Sequence, residues 1–228
     1  MTLQFETFED DLTAQPVQVT EMSSSSRNLY RHKAKRLVDI AIVISVAPIA
    51  LPFILLMAWL IALDGHNPFY SQERIGKGGR VFRLWKLRTM VYRADALLDA
   101  FLDENPEAKA EWLASQKLKN DPRITLVGRI LRKTSMDELP QLWNVLNGSM
   151  SIVGPRPMML KQKSSYLGKG YYRLQPGITG LWQVSDRNEG EFVGRVRYDD
   201  LYDRTISLRT YLWVLMRTVV VVVRCTGY

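Results

Sequence analysis

The sequence predicts an α+β protein, mostly helical, with a re-entrant membrane helix hairpin followed by a small cytoplasmic domain made of a β-hairpin and interfacial helices. Three observations predict it. An uncharged run, Ile40 to Leu63, is long enough to enter a bilayer. Charged and apolar residues alternate after the Gly-rich turn Gly76-Lys77-Gly78-Gly79, which is the period of a strand. Further on, segments of helical spacing are punctuated by proline. Residues 1–28 read as a disordered tail, 29–64 as a basic flank plus the membrane helix, and 65–228 as the cytoplasmic, membrane-associated domain.

The chain has 228 residues, enough for one domain with a real core and too few for two comfortable ones. Its net charge of +8 suits anionic partners such as phosphate-bearing substrates or lipid head groups, without choosing among them. The single cysteine, Cys225, forms no internal disulfide, in keeping with a reducing compartment. With only His32 and His66 and no C-x-x-C pair, a zinc site is excluded.

The uncharged run covers about 24 residues, a bilayer-spanning length. It starts too far into the chain for a signal peptide. The plain alternative is a buried core helix, but those are rarely so long and so apolar. Basic residues flank both ends: Arg27, Arg31, Lys33, Lys35 and Arg36 before it, and Arg74, Lys77, Arg80, Arg83, Lys86 and Arg88 after it. The positive-inside tendency therefore holds both ends on the cytoplasmic face. Pro48 and Pro52 each lack an N–H and clash with the carbonyl four residues back, so a sharp bend is expected near Pro48. These features predict entry and return rather than crossing.

Phe69 to Ile75 and Arg80 to Arg88 then read as the two arms of a hairpin, with Arg80 and Arg83 on a solvated strand face. Asp95 to Leu102 and Pro106 to Leu118 read as helices split at Asn105-Pro106, the first packing through Leu97, Leu98, Phe101 and Leu102. Asp121-Pro122-Arg123 is a turn. Tyr211 to Val223 is too short for a comfortable crossing and reads as an interfacial or core helix, although Val219 to Val223 also suits a strand.

The densest segment runs from Leu131 to Pro157. Ser135-x-x-Glu138 alone reads as a capping box opening a helix with Leu139, Leu142 and Val145 or Leu146 on its apolar face. Capping does not explain two adjacent carboxylates, Asp137 and Glu138, among Arg132, Lys133 and, further on, Arg156. Guanidinium neighbours and a helix N-terminus favour ionised carboxylates. An ionised Asp can attack phosphorus or hold Mg²⁺, and arginine forks bind phosphate oxygens. Together with the membrane hairpin, these residues point to phosphoryl chemistry at a bilayer surface.

From Lys35 to the C-terminus the chain resembles the bacterial sugar transferases, also called monotopic phosphoglycosyl transferases or polyprenyl-phosphate sugar phosphotransferases. The resemblance rests on Lys35-Arg36-x-x-Asp39, Lys86-Leu87-Arg88-Thr89-Met90, Asp137-Glu138-Leu139-Pro140-Gln141-Leu142, Gly154-Pro155-Arg156-Pro157 and Pro176-Gly177-Ile178-Thr179-Gly180-Leu181-Trp182-Gln183-Val184. It implies a catalytic domain on the cytoplasmic face of a bacterial inner membrane. The implied reaction moves a hexose 1-phosphate (galactose or glucose) from a UDP-sugar to polyprenyl phosphate, the first step of exopolysaccharide synthesis. By position Asp137 is the nucleophile and a ligand of Mg²⁺, and Glu138 assists it. Lys86, Arg88, Arg132 and Arg156 match phosphate-binding positions. Membrane lipids are partners; other polysaccharide-assembly proteins and a homodimer stay open. The chain departs from the family pattern at Ala47 before Pro48, at Gln175 before Pro176 and at Asp186 before Arg187-Asn188.

Two other readings fit the composition. A basic nucleic-acid binder lacks any helix-turn-helix, zinc or RNA-binding signature, so nucleic acid is not expected as a partner. A non-catalytic scaffold of an assembly complex is opposed by the intact Asp137-Glu138 pair.

Overall fold

The computed structural model describes residues 30–115, 118–185 and 194–223. The predicted tail, Asp186-Arg187-Asn188 and Cys225 lie outside the described residues. A π-helical turn, Tyr30–Ala34, leads into α1, Lys35–Ala62. The hairpin follows as β1, Phe69–Ile75, and β2, Val81–Leu87. Next come α2, Ala94–Glu104, α3, Pro106–Ser115, and α4, Leu126–Thr134. A 3₁₀ turn, Met136–Glu138, precedes α5, Gln141–Leu146. Then β3, Ser151–Val153, β4, Met158–Met159, α6, Gly170–Arg173, β5, Gly177–Thr179, and α7, Leu181–Ser185, lead to α8, Arg195–Thr205, and α9, Leu208–Val223. The class is α+β and largely helical, as the sequence predicts.

The membrane run differs in one respect from the expectation. It is a single 28-residue helix, with helical structure continuing through Pro48 and Pro52 rather than two arms joined by a turn. The two prolines are one turn apart, so the two lost hydrogen bonds fall on one face and the opposite face can keep the helix continuous. Its buried positions, Lys35, Asp39, Val43, Ala50, Ile54, Ala58 and Ile61, form one stripe along the helix that packs against the domain. The other faces expose Leu37, Ile44, Ile49, Leu55 and Trp59, among others. By length and composition this is a helix that could cross a membrane.

Both ends of α1 are tied to the same domain. Near its start, Asp39 is fully buried and its carboxylate accepts from Ser151 Oγ (2.7 Å), the Ile152 N–H (3.0 Å) and Tyr211 Oη (2.7 Å). Lys35 lies beside it and donates to Ser151 Oγ. Four donors around one buried carboxylate offset its desolvation. Just past its end, Asp64 is clamped by Arg88.

The hairpin register runs from Phe69 opposite Leu87 to Ile75 opposite Val81, and β4 adds to the outer edge of β1. A second, parallel pair joins β3 to β5. Here two of the sequence motifs meet backbone to backbone. The Gly154 N–H donates to Thr179 O, and the Gly177 N–H donates to Pro155 O, both at 2.8 Å. A Cβ on Gly154 would lie 2.2 Å from Gln175 O, and one on Gly177 would lie 2.1 Å from Gly154 N. Only glycine permits this approach, which fixes the Gly-Pro-Arg-Pro turn on the Pro-Gly-Ile-Thr-Gly strand.

Several local expectations change. In α2 the packed residues are Leu98 and Leu102; Leu97 is exposed. The C-terminal segment is, as expected, helix, and this holds through Val219 to Val223 rather than strand, because Tyr211 and Val214 supply a buried stripe that Thr210 and Thr218 extend. The capping-box reading fails. Ser135 is left-handed (φ 57°) and terminates α4, its N–H donating to Arg132 O at 3.1 Å. The next helix begins only at Gln141, behind Pro140; of the expected apolar face Val145 is buried and Leu139 and Leu142 pack half-buried against the cores, Leu146 is exposed, and Gln141 and Asn144 are buried besides.

Candidate active site

The paired carboxylates Asp137 and Glu138 sit at the sharp reversal after α4. With Ser135 left-handed, the chain turns back and one 3₁₀ turn presents Asp137 and Glu138 together. Facing them is Lys86 on β2. Its ammonium donates to Glu138 Oε1 at 2.7 Å and to Asp137 Oδ2 at 3.4 Å. Asp137 is buried, 8% exposed. Burial pushes its pKa up and Glu138 adds to this, while Lys86 and Arg132 pull it down. The net direction is upward. The expectation of a carboxyl held strongly ionised by cations and a helix terminus is therefore corrected: desolvation outweighs the cations, and α5 starts too late and is too short to contribute.

Arg132 is positioned by a close contact between elements. Its Nε donates to Thr89 Oγ1 at 2.8 Å. Behind it, Gly128 rests on the Thr89 backbone, where a Cβ would fall 2.0 Å from Thr89 O. Thr125 caps α4 by accepting from the Gly128 N–H at 2.9 Å. The Lys86-Leu87-Arg88-Thr89-Met90 motif thus serves three ends: Lys86 faces the carboxylates, Leu87 enters the core beneath α1, and Thr89 seats α4.

Arg88 is elsewhere. Its Nε donates to Asn67 O, Nη1 to Asp64 Oδ2 and Met90 O, and Nη2 to Asp64 Oδ1 and Ile61 O. A guanidinium has five N–H donors, and all five are engaged here. Arg88 holds the end of α1 and the following loop, and holds the Asp64 carboxyl down to about 2; no donor is left for a phosphate.

Arg156 projects, exposed, from the Gly154–Pro157 turn. Its carbonyl accepts from the buried guanidinium of Arg195, which also lies 4.0 Å from Asp199 and over the Trp182 ring. Asp199, bonded by Tyr166 Oη at 2.7 Å, has its pKa pushed up to about 6, chiefly by burial. Gln175, one of the departures, donates to Gly148 O at 2.7 Å and serves the fold. Pro48 is exposed within α1.

The structure thus gathers Asp137, Glu138, Lys86 and Arg132, sets Arg156 on an adjoining rigid turn, and keeps Arg88 away. Sequence reasoning missed Thr89, Arg195 and Arg74. Thr89 lay inside a recognised motif. The other two lack a local signal beyond their charge.

No group of three or more metal-ligating side chains occurs among the described residues. Mg²⁺ does not require one, since it binds through one or two carboxylates plus substrate phosphates and water. Asp137 and Glu138 fit that pattern, with Asp137 Oδ1 receiving no hydrogen bond among the described residues.

A buried acid pair under a lysine, arginines on the neighbouring helix and turn, and a helix long and apolar enough to cross a membrane bound to the same domain define an enzyme-like site. The bacterial sugar transferase profile matches residues 30–225, and the chain belongs to that family. It is 42% identical over 207 residues to a UDP-galactose-lipid carrier transferase of Erwinia amylovora, covering 89% of this chain and 43% of that protein. An undecaprenyl-phosphate galactose phosphotransferase of Salmonella typhimurium is 43% identical over 195 residues, 85% of this chain and 41% of that one. The exopolysaccharide production protein ExoY of Rhizobium meliloti is 44% identical over 169 residues, 73% of this chain and 75% of that one. The chain therefore spans less than half the length of the first two relatives and three quarters of the third.

Proposed function

We propose that the chain transfers a hexose 1-phosphate, of galactose or glucose, from a UDP-sugar to polyprenyl phosphate at the cytoplasmic face of the bacterial inner membrane, initiating an exopolysaccharide. The observation that carries this reading is the Asp137-Glu138-Lys86 cluster, in which a buried carboxylate is backed by an ammonium. Relatives named for galactose transfer to a lipid carrier support the substrate class.

In the first step Asp137 attacks the β-phosphorus of the UDP-sugar. A P–O bond forms to its carboxylate, the bond to the bridging oxygen breaks, and UMP leaves with that electron pair. In the second step a polyprenyl phosphate oxygen attacks the same phosphorus, Asp137 is released, and a polyprenyl diphosphate sugar forms. Splitting the transfer makes each step a simple displacement. Partial desolvation suits Asp137 to attack, because a carboxylate with little water to shed is the more reactive nucleophile. Lys86 keeps Asp137 and Glu138 from repelling one another while the site is empty of substrate. Arg132 and Arg156 face the phosphate oxygens. Mg²⁺, held by Asp137 and Glu138, would offset diphosphate charge.

The membrane arrangement is re-entrant in this reading. It is supported by the attachment of both ends of α1 to one domain, through Asp39 and through Asp64, and by the apolar residues that α4, α5 and α9 expose, such as Leu126, Ile130, Trp143, Leu212 and Met216.

The test is direct. Purified protein with a panel of UDP-sugars and polyprenyl phosphate should release UMP, and without acceptor should hold a covalent sugar phosphate. Asp137→Asn should abolish both, a loss of about a thousandfold or more on the scale of removing a nucleophile. An adduct in that variant would overturn Asp137 as the nucleophile.

A further inference from the structure

A third arginine, Arg74, lies within electrostatic reach of Glu138. Tyr70 pairs with Lys86 and Arg74 with Phe82, so Arg74 and Lys86 project from the same face of the hairpin. The Arg74 guanidinium reaches the turn that carries Arg156, where its Nη1 donates to Pro157 O at 3.3 Å. Its Nη2 donates to Gln72 Oε1 at 2.6 Å. Its Nε is buried and has no hydrogen-bond partner.

Charge makes this arrangement unusual. Arg74 forms no ion pair among the described residues. Burial, and then the Arg156 guanidinium, lower its proton affinity, while Tyr70, Tyr171 and Glu138 oppose them. A half-buried cation with an unsatisfied N–H, next to a second guanidinium, is unfavourable unless an anion joins them. Two arginine forks, one from β1 reaching the turn and one on the turn itself, match the oxygens of a phosphate group, which accept several hydrogen bonds at once.

We propose that Arg74 and Arg156 form a two-arginine clamp for phosphate oxygens beside Asp137. The clamp rests on the transfer reading above and deepens it. Its ligand is either the diphosphate of the donor or the phosphate of the lipid acceptor.

Two half-reactions of the full-length protein in lipid nanodiscs separate these sources. Single-turnover UMP release from a UDP-sugar, with no lipid acceptor, reads the donor. Transfer from the preformed adduct to polyprenyl phosphate reads the acceptor. Arg74→Gln should raise the KM of one half-reaction at least tenfold, with Arg74→Lys recovering part of the loss and both variants melting within a few degrees of the parent. A defect confined to the donor arm assigns the clamp to the diphosphate, and one confined to the acceptor arm assigns it to the lipid phosphate. Unchanged kinetics in both arms would overturn the clamp. Should Arg74→Gln fail to fold, Arg74→Lys decides: it keeps the charge but loses the fork, and parental KM values in it would make Arg74 a structural residue. An inactive parent overturns the transfer reading; an active parent with indifferent Arg74 variants overturns only the clamp.

Discussion

Arg88 and Arg156 carry the same charge and sit in equally recognisable motifs, yet their surroundings assign them different work. Every donor of Arg88 is taken by Asp64 and by three carbonyls, whereas Arg156 stands exposed on a turn held from behind by Arg195. Arg88→Ala should lower stability by about 1.5–3 kcal/mol through lost charge-assisted hydrogen bonds and leave the KM for UDP-sugar within about twofold. Arg156→Ala should do the reverse, raising KM about tenfold with the melting temperature kept. Steady-state kinetics and thermal melts of the two variants check this. Asp199 gives a pH prediction. Its folded pKa is raised from 3.8 to about 6, so its contribution to stability is present in full below 3.8 and is lost as pH rises through about 6. Asp199→Asn lacks that loss. Relative to the parent, the variant should therefore gain stability between about pH 4 and pH 8, by up to roughly 3 kcal/mol. A stability difference that is flat across this range would show that Asp199 does not titrate there.

At the scale of elements, the site depends on how closely α4 sits on Thr89. Gly128→Ala places a methyl against main-chain atoms that cannot step aside. It should cost about 1–3 kcal/mol and, by lifting Arg132 from Thr89, reduce activity by more than the stability loss explains. Denaturant unfolding and UMP-release rates measured on the same preparation test it. The hairpin was legible because its signal is local: the Gly-rich turn Gly76-Lys77-Gly78-Gly79 followed by alternation over Arg80 to Arg88, while the shared face of Lys86 and Arg74 comes from the register. The start of α5 was not. Ser135-x-x-Glu138 carries the side chains of a capping box, but the left-handed backbone at Ser135 belongs to the end of the preceding helix. The ionisation of Asp137 was also illegible, because neighbours in sequence reveal nearby charge and burial depends on the fold.

For the molecule as a whole, the recognised motifs are those whose function depends on local geometry. What the sequence hid is the joining of distant segments, such as Arg31 with Asp203 and Asp39 with Ser151 and Tyr211. These contacts anchor α1 at one end, as Arg88 anchors it at the other. They make a topological prediction. In a Cys225→Ser background, Lys33→Cys and Tyr70→Cys should both react with a membrane-impermeant maleimide only from the cytoplasmic face. Labelling from opposite faces would show that α1 crosses the bilayer.

The bond from Tyr211 Oη to Asp39 joins residues 172 positions apart, and this has a consequence for biogenesis. The ribosome makes α1 well before Tyr211. At about 5–20 residues per second, the Asp39 carboxylate waits without any of its three close donors until Ser151 and Ile152 are made, and without Tyr211 for longer still. The base of α1 is therefore secured only after segments made much later, and the domain closes around Asp39 no earlier than the synthesis of Tyr211. A chain stopped before residue 203 would carry this apolar helix without the Arg31–Asp203 pair and the Tyr211–Asp39 bond that hold its base.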